Sequence, residues 1–127
     1  MNVIDSSVWL EYFSGTTLGY KFTDVLEKTE EVIVPSITIF EVYKKVRAQA
    51  GENTAITLVA HMRLAEVADL TEDLALAAAQ LSIQLKLPMA DSIVLATARS
   101  QGATLWTLDS DFKEIPDVRY FEKRVKN

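Results

Sequence analysis

Short apolar runs alternate along the chain with longer stretches in which apolar residues recur every three or four positions. Asn2 to Asp5 is such a run, and it meets Asp-Ser-Ser, the pattern of a strand feeding a helix start. Val8, Leu10, Tyr12 and Phe13 suit a short helix closed by Ser14-Gly15. Leu18, Phe22, Val25 and Leu26 then predict a second helix over Thr17 to Lys28. Val32 to Val34, bounded by Glu30-Glu31 and Pro35, reads as a second strand. From Thr38, the positions Ile39, Val42 and Val46 and the stop at Gly51 describe a helix that exposes Lys44, Lys45 and Arg47.

The second half repeats the rhythm. Asn53 to Leu64 predicts a helix and Val67 to Leu70 a third strand, and Leu74, Ala77, Ala78, Leu81 and Leu85 form the clearest helical stripe, ending near Pro88. Pro88-Met89-Ala90-Asp91 opens another helix running to Gly102, since proline suits a first helical turn. Ala103 to Leu108 is a fourth strand, Asp109 to Lys113 a turn, and Val118 to Phe121 a last strand. Strands alternating with helices predict an α/β fold of three layers, a central parallel sheet of four to five strands flanked by helices. At 127 residues, without a repeat or a linker, residues 1–127 form a single domain.

Composition narrows the chemistry. The chain has no Cys and one His, His61, which excludes disulfides, thiolate nucleophiles and an all-histidine zinc centre. The start, Met-Asn-Val-Ile-Asp, lacks the basic-then-apolar pattern of a signal peptide, and no run approaches the ~18 apolar residues of a membrane span. The expected location is the cytoplasm. The formal charge of −5 argues against a strongly basic, tight nucleic-acid binder.

That acidity is concentrated where chemistry would sit. In open α/β sheets ligands gather at the carboxyl ends of strands, beside the helix N-termini that follow. Asp5 ends the first strand, Glu41 lies in the first turn of the helix after the second, Asp91 follows Pro88, and Asp109 ends the fourth strand with Asp111 two residues on. Singly, each suits a local role. Asp5 could be a helix cap, Thr38 to Glu41 a capping box, Asp91 a partner of the helix dipole, and Asp109-Ser-Asp111 an Asx turn. Jointly they conflict, because two carboxylates at 4 Å repel by ~4 kcal/mol at an effective dielectric of 20. A divalent cation removes the conflict, and an all-oxygen site selects Mg²⁺ or Mn²⁺ over zinc. Removing the four acids from the count leaves 14 acids against 13 bases, so much of the net charge belongs to a site rather than to the surface.

Four segments carry a family resemblance. They are Val3-Ile4-Asp5-Ser6-Ser7-Val8-Trp9, Pro35-Ser36-Ile37-Thr38-Ile39-Phe40-Glu41-Val42, Met89-Ala90-Asp91-Ser92-Ile93-Val94-Leu95-Ala96-Thr97-Ala98, and Thr104-Leu105-Trp106-Thr107-Leu108-Asp109-Ser110-Asp111-Phe112. In this order and spacing they resemble the PIN-domain ribonucleases, and among them the VapC-type toxins of toxin–antitoxin modules, over essentially the whole chain. The resemblance implies a Rossmann-like sheet whose acids bind Mg²⁺ or Mn²⁺ and cut RNA, a protein antitoxin that covers the site, and a homodimer. It assigns metal binding to Asp5, Asp91 and Asp109, with Glu41 completing a catalytic quartet. Ser7 and Thr107 match places where the family carries a supporting hydroxyl or amide, and Asp111 matches a more variable acid.

Other residues add less. His61 suits packing or the surface, and Trp9 and Trp106 suit the core. Lys44, Lys45 and Arg47 share a helix with Glu41 and offer RNA phosphate contacts, and Lys123, Arg124 and Lys126 form a basic tail. The helices over Thr17 to Lys28 and Asn53 to Leu64 offer an apolar groove for an antitoxin segment. The competing reading is a non-catalytic domain, receiver-like or protein-binding, whose acids are helix caps. A phosphorelay receiver needs an acidic pair after the first strand, and Asp5-Ser6-Ser7 supplies one acid; Ser7 likewise breaks an Asp-x-Asp phosphatase motif.

Overall fold

The computed structural model describes residues 1–123. Their strands are β1 (Asn2–Ile4), β2 (Val32–Pro35), β3 (Glu66–Ala68), β4 (Thr104–Thr107) and β5 (Val118–Tyr120). The helices are α1 (Ser6–Phe13), α2 (Thr17–Tyr20), α3 (Thr23–Glu27), α4 (Ser36–Ala50), α5 (Glu52–Met62), α6 (Glu72–Leu85) and α7 (Met89–Ser100), with 3-10 turns at Thr29–Glu31 and Ser110–Phe112. Every strand pairing is parallel, in the order β3-β2-β1-β4-β5. The expected α/β architecture with a parallel sheet flanked by helices is what the chain forms.

Successive strand residues face opposite layers, and both layers are apolar. Ile4, Val32 and Val34 pack with Val8, Trp9, Phe22, Leu26, Val42 and Met62 on one face. Val3, Ile33 and Leu105 pack with Leu87, Val94, Leu95 and Phe112 on the other. β1 lies at the centre, and the connections lead from it to β2 and β3 on one side while β4 and β5 stand on the other. This reversal between β1 and β4 opens the crevice in which sheets of this kind place a ligand site.

Two elements depart from expectation for visible reasons. The helix expected over Thr17 to Lys28 divides into α2 and α3, because Phe22 leaves helical register (ψ 0°) to enter the core. Gly19 in α2 lies so close to α1 that a Cβ there would stand 2.5 Å from the carbonyl oxygen of Glu11. The helix expected from Thr38 begins instead at Ser36, with Pro35 as its cap. Thr38 is therefore buried inside α4, its hydroxyl has no partner, and it forms no capping box with Glu41.

The clear stripe on α6 is only partly covered. Ala78 is its buried position, while Leu76 and Ile83 on the same helix are 65% and 80% exposed. Trp9 is in the core as expected. Trp106 is half-buried: its indole N–H donates to Asn2 Oδ1 at 2.9 Å, and its ring stacks on Phe121 under the Arg119 guanidinium. His61 lies edge-on to Phe13, away from the strand-end acids. Arg124 and Lys126 fall outside the described residues.

Candidate active site

Asp5 leaves β1 at its carboxyl end and occupies the N-cap position of α1, yet its side chain makes no cap bond to the helix. Its Oδ2 instead accepts two hydroxyls, Ser7 Oγ at 2.7 Å and Thr107 Oγ1 at 2.9 Å. Each hydroxyl also accepts a backbone N–H from the chain just beyond β4. Leu108 donates to Ser7 at 3.0 Å and Asp109 to Thr107 at 3.0 Å. Both hydroxyl hydrogens are thus spent on one carboxylate oxygen, and α1, β1 and the end of β4 are tied together around Asp5. Ser7 and Thr107, the expected supporting positions, are therefore both bonded to Asp5.

Asp109 and Asp111 are arranged by the 3-10 turn that follows β4. Asp109 Oδ1 accepts the backbone N–H of Asp111 at 2.9 Å, the Asx geometry expected for this segment. The same turn brings the Asp111 carboxylate back towards the first turn of α7, where Asp91 sits. One carboxylate oxygen from each of Asp91, Asp109 and Asp111 lies within 4.8 Å of the others. Asp111 therefore joins Asp91 and Asp109 in the tightest group, while Asp5 stands beside them.

The electrostatics record this crowding. Asp91, 8% exposed, has its carboxyl pushed up to about 8, first by burial, then by its hydrogen bond with Asp111, then by the charges of Asp109, Asp5 and Asp111. Burial also raises Asp5, against the lowering hydrogen bonds from Ser7 and Thr107, with the charge of Asp109 raising it further. Glu41 reaches the same cluster from the second turn of α4, one turn later than expected because the helix begins at Ser36. Burial and the Asp5 charge raise its carboxyl, and a hydrogen bond from the Ser6 hydroxyl opposes the rise. Four acids from four helix or strand junctions on both sides of the crevice thus gather with Asp111, and the charges of Asp5 and Asp109 reach both Glu41 and Asp91.

Ser6 is the contributor that the sequence reading passes over, although the doublet Ser6-Ser7 after Asp5 is its signal. A groove of about 850 Å³ opens beside the cluster, reached by Ser6, Ser7 and Glu41 and flanked by Lys44 and Lys45. Arg47 is exposed on the same helix and does not line this groove.

Comparison with known proteins follows the same outline. The family model described as PIN domain matches residues 3–118. No curated protein matches. Solved structures do, at low identity. A toxin-antitoxin complex from Klebsiella pneumoniae superposes with a TM-score of 0.82 at 22% identity, covering 97% of this chain and 100% of that one. Mycobacterium tuberculosis VapC20, a Sarcin-Ricin loop cleaving toxin, gives 0.78 at 17% identity, covering 94% and 98%. DNA-bound VapBC from Salmonella typhimurium gives 0.73 at 18% identity, covering 95% and 96%.

Proposed function

The chain belongs to the PIN domain family, and from that premise we propose that it is a metal-dependent endoribonuclease, the toxin of a toxin–antitoxin pair. The observation that carries this reading is the convergence of Asp5, Glu41, Asp91, Asp109 and Asp111 at the crevice between β1 and β4, with three of their carboxylates raised. Helix caps have no reason to gather. A carboxyl pushed up to about 8 by burial and then by the acids around it lies in a site short of positive charge.

The residues fit a hard divalent cation, Mg²⁺ or Mn²⁺, because every donor is a carboxylate or hydroxyl oxygen. Asp91, Asp109 and Asp111 would hold it with Asp5 alongside. When bound, such an ion lowers the pKa of a coordinated water and offsets charge on the leaving oxygen of a phosphodiester. The protein does the rest. Ser7 and Thr107 fix the orientation of Asp5, and the Asx turn fixes Asp109 and Asp111. Glu41, half-buried with a raised carboxyl, takes up the proton that the attacking water loses as its oxygen bonds phosphorus and the ribose oxygen departs.

RNA is the substrate, and a cognate antitoxin is the protein partner, a reading supported by structural neighbours that are themselves toxin-antitoxin complexes. A homodimer gives Leu76 and Ile83 of α6 a surface to cover. Among the described residues no helix is long and apolar enough to cross a membrane.

The test is induced expression of wild type and Asp5→Asn with sequencing of cellular RNA ends. New ends and growth arrest with wild type alone support the reading and name the substrate. Equal activity in Asp5→Asn and Asp91→Asn, with both folded, rejects it.

A further inference from the structure

We propose that Glu11 is a positioning residue, which holds Lys123 at the edge of the groove beside the acidic cluster so that Lys123 binds a phosphate of the RNA strand opposite Lys44 and Lys45. This rests on the ribonuclease reading and concerns how the substrate reaches that site.

Glu11 has no part in the acidic cluster, and its burial needs another explanation. It is 8% exposed, on the groove-lining side of α1, and both of its oxygens have partners. Oε2 accepts the Thr16 hydroxyl, which in turn caps α2 by accepting the Gly19 N–H at 3.0 Å. Oε1 faces Lys123 Nζ at 3.4 Å. A buried carboxylate without a cation is costly, so the pairing pins a residue from the far end of the described chain to the first helix.

Lys123 has capacity to spare. An ammonium has three donors, Glu11 engages one side of it, and the side chain remains 67% exposed. Its anchoring also removes part of the rotamer freedom that a lysine otherwise loses when it binds a phosphate. The groove it borders carries Lys44 and Lys45 on the α4 wall and reaches Ser6, Ser7 and Glu41. On the same α4 wall Phe40 is 58% exposed with Lys44 Nζ over its ring, 5.7 Å from the centre, so an aromatic surface on which an unpaired base can stack lies next to the lysines. Lysines from two separate elements and an exposed aromatic ring beside Lys44 fit a single polynucleotide strand better than a protein segment.

The sign of one substitution separates positioning from plain electrostatics. Glu11→Gln removes a negative charge from a groove that takes a polyanion, so charge alone predicts tighter binding. Loss of the Lys123 anchor predicts weaker binding. Glutamine keeps an acceptor for Thr16, and thermal melting checks that the variant folds.

The experiment uses the purified full chain, Mn²⁺ and a labelled single-stranded RNA, with KM and kcat measured across a salt series. Lys123→Ala raises KM about fivefold and lowers the steepness of log KM against log salt by about 0.7, the loss of one phosphate contact. Glu11→Gln raises KM to a similar extent, the combined variant is no worse than Lys123→Ala, and Lys123→Arg recovers most of the loss. Arg63→Ala, exposed at the end of α5, is the control. An unchanged or lowered KM in Glu11→Gln overturns the positioning role. Wild-type KM and salt slope in Lys123→Ala overturn the phosphate contact and leave the groove to a protein segment. A wild type that cuts no RNA overturns the ribonuclease reading instead, and the inference with it.

Discussion

Asp91 and Asp111 face each other across the gap between the start of α7 and the turn after β4, with carboxylate oxygens within 4.8 Å and a hydrogen bond between the two side chains that favours a protonated Asp91. Burial and this hydrogen bond push the Asp91 carboxyl up to about 8, whereas an unfolded aspartate titrates near 3.8. Between those values the folded state holds a proton that the unfolded state has released. Stability of the metal-free protein is therefore greatest at the acidic end of the window and is lost as pH rises from about 4 to about 8. Saturating Mg²⁺ or Mn²⁺ displaces the proton and removes the loss. At a free ion concentration about 100 times Kd the gain is about 2.7 kcal/mol, or roughly 10 °C in Tm, larger at pH 8 than at pH 6. Asp91→Asn raises the metal-free Tm at pH 8 and abolishes the response to metal. Scanning calorimetry across pH, with and without the ion, checks each statement, and a Tm indifferent to metal at pH 8 counts against the site.

Thr107 is fully buried and joins two acids, since its hydroxyl donates to Asp5 and accepts the N–H of Asp109. Valine has nearly the same shape and can do neither. Thr107→Val costs about 1–3 kcal/mol by leaving both groups short of a partner. It lowers kcat/KM about 10- to 100-fold by releasing Asp5. Thr107→Ser keeps the hydroxyl and most of the rate. Denaturant titration and cleavage assays on the pair separate the two effects.

Gly19 is fixed by the approach of α2 to α1 rather than by its dihedral angles. Alanine there drives a methyl into the Glu11 carbonyl, and α2 must shift at a cost of about 1–3 kcal/mol. The acidic cluster is built from other elements, so kcat is retained below the melting range. Urea unfolding of Gly19→Ala gives the cost directly.

Thr38 buries a hydroxyl that bonds to nothing. Thr38→Val keeps the shape and removes the unpaired group, raising stability by about 1 kcal/mol without moving Glu41. A lowered urea midpoint would mean that the hydroxyl has a partner after all.

The sequence is informative where local chemistry and tertiary structure agree. Short β-branched runs such as Val32 to Val34 can only be buried strands in an alternating chain, and Asp5 and Asp109 are legible because each ends such a run. Thr38 misleads because the helix starts two residues earlier, at Ser36 after Pro35, which puts Thr38 inside the first turn rather than at the cap. The division of Thr17 to Lys28 has no local signal, since it arises from Phe22 turning into a core that distant elements build. The closeness of Asp111 to Asp91 depends on a single 3-10 turn and on where α7 docks. The burial of Glu11 depends on α2 and on Lys123, and no periodicity reveals either.

Adjacency of β1 and β4 at the centre of the sheet also has a meaning in time. Asp5 emerges from the ribosome before its partners, because the strand that carries them pairs with β1 through Thr104 to Trp106, about a hundred residues later. A nascent or truncated product that stops before Thr104 has neither Asp109 and Asp111 nor the Thr107 hydroxyl that orients Asp5. On the ribonuclease reading, chemistry that needs all of them stays latent until β4 docks beside β1, so no fragment lacking β4 carries it.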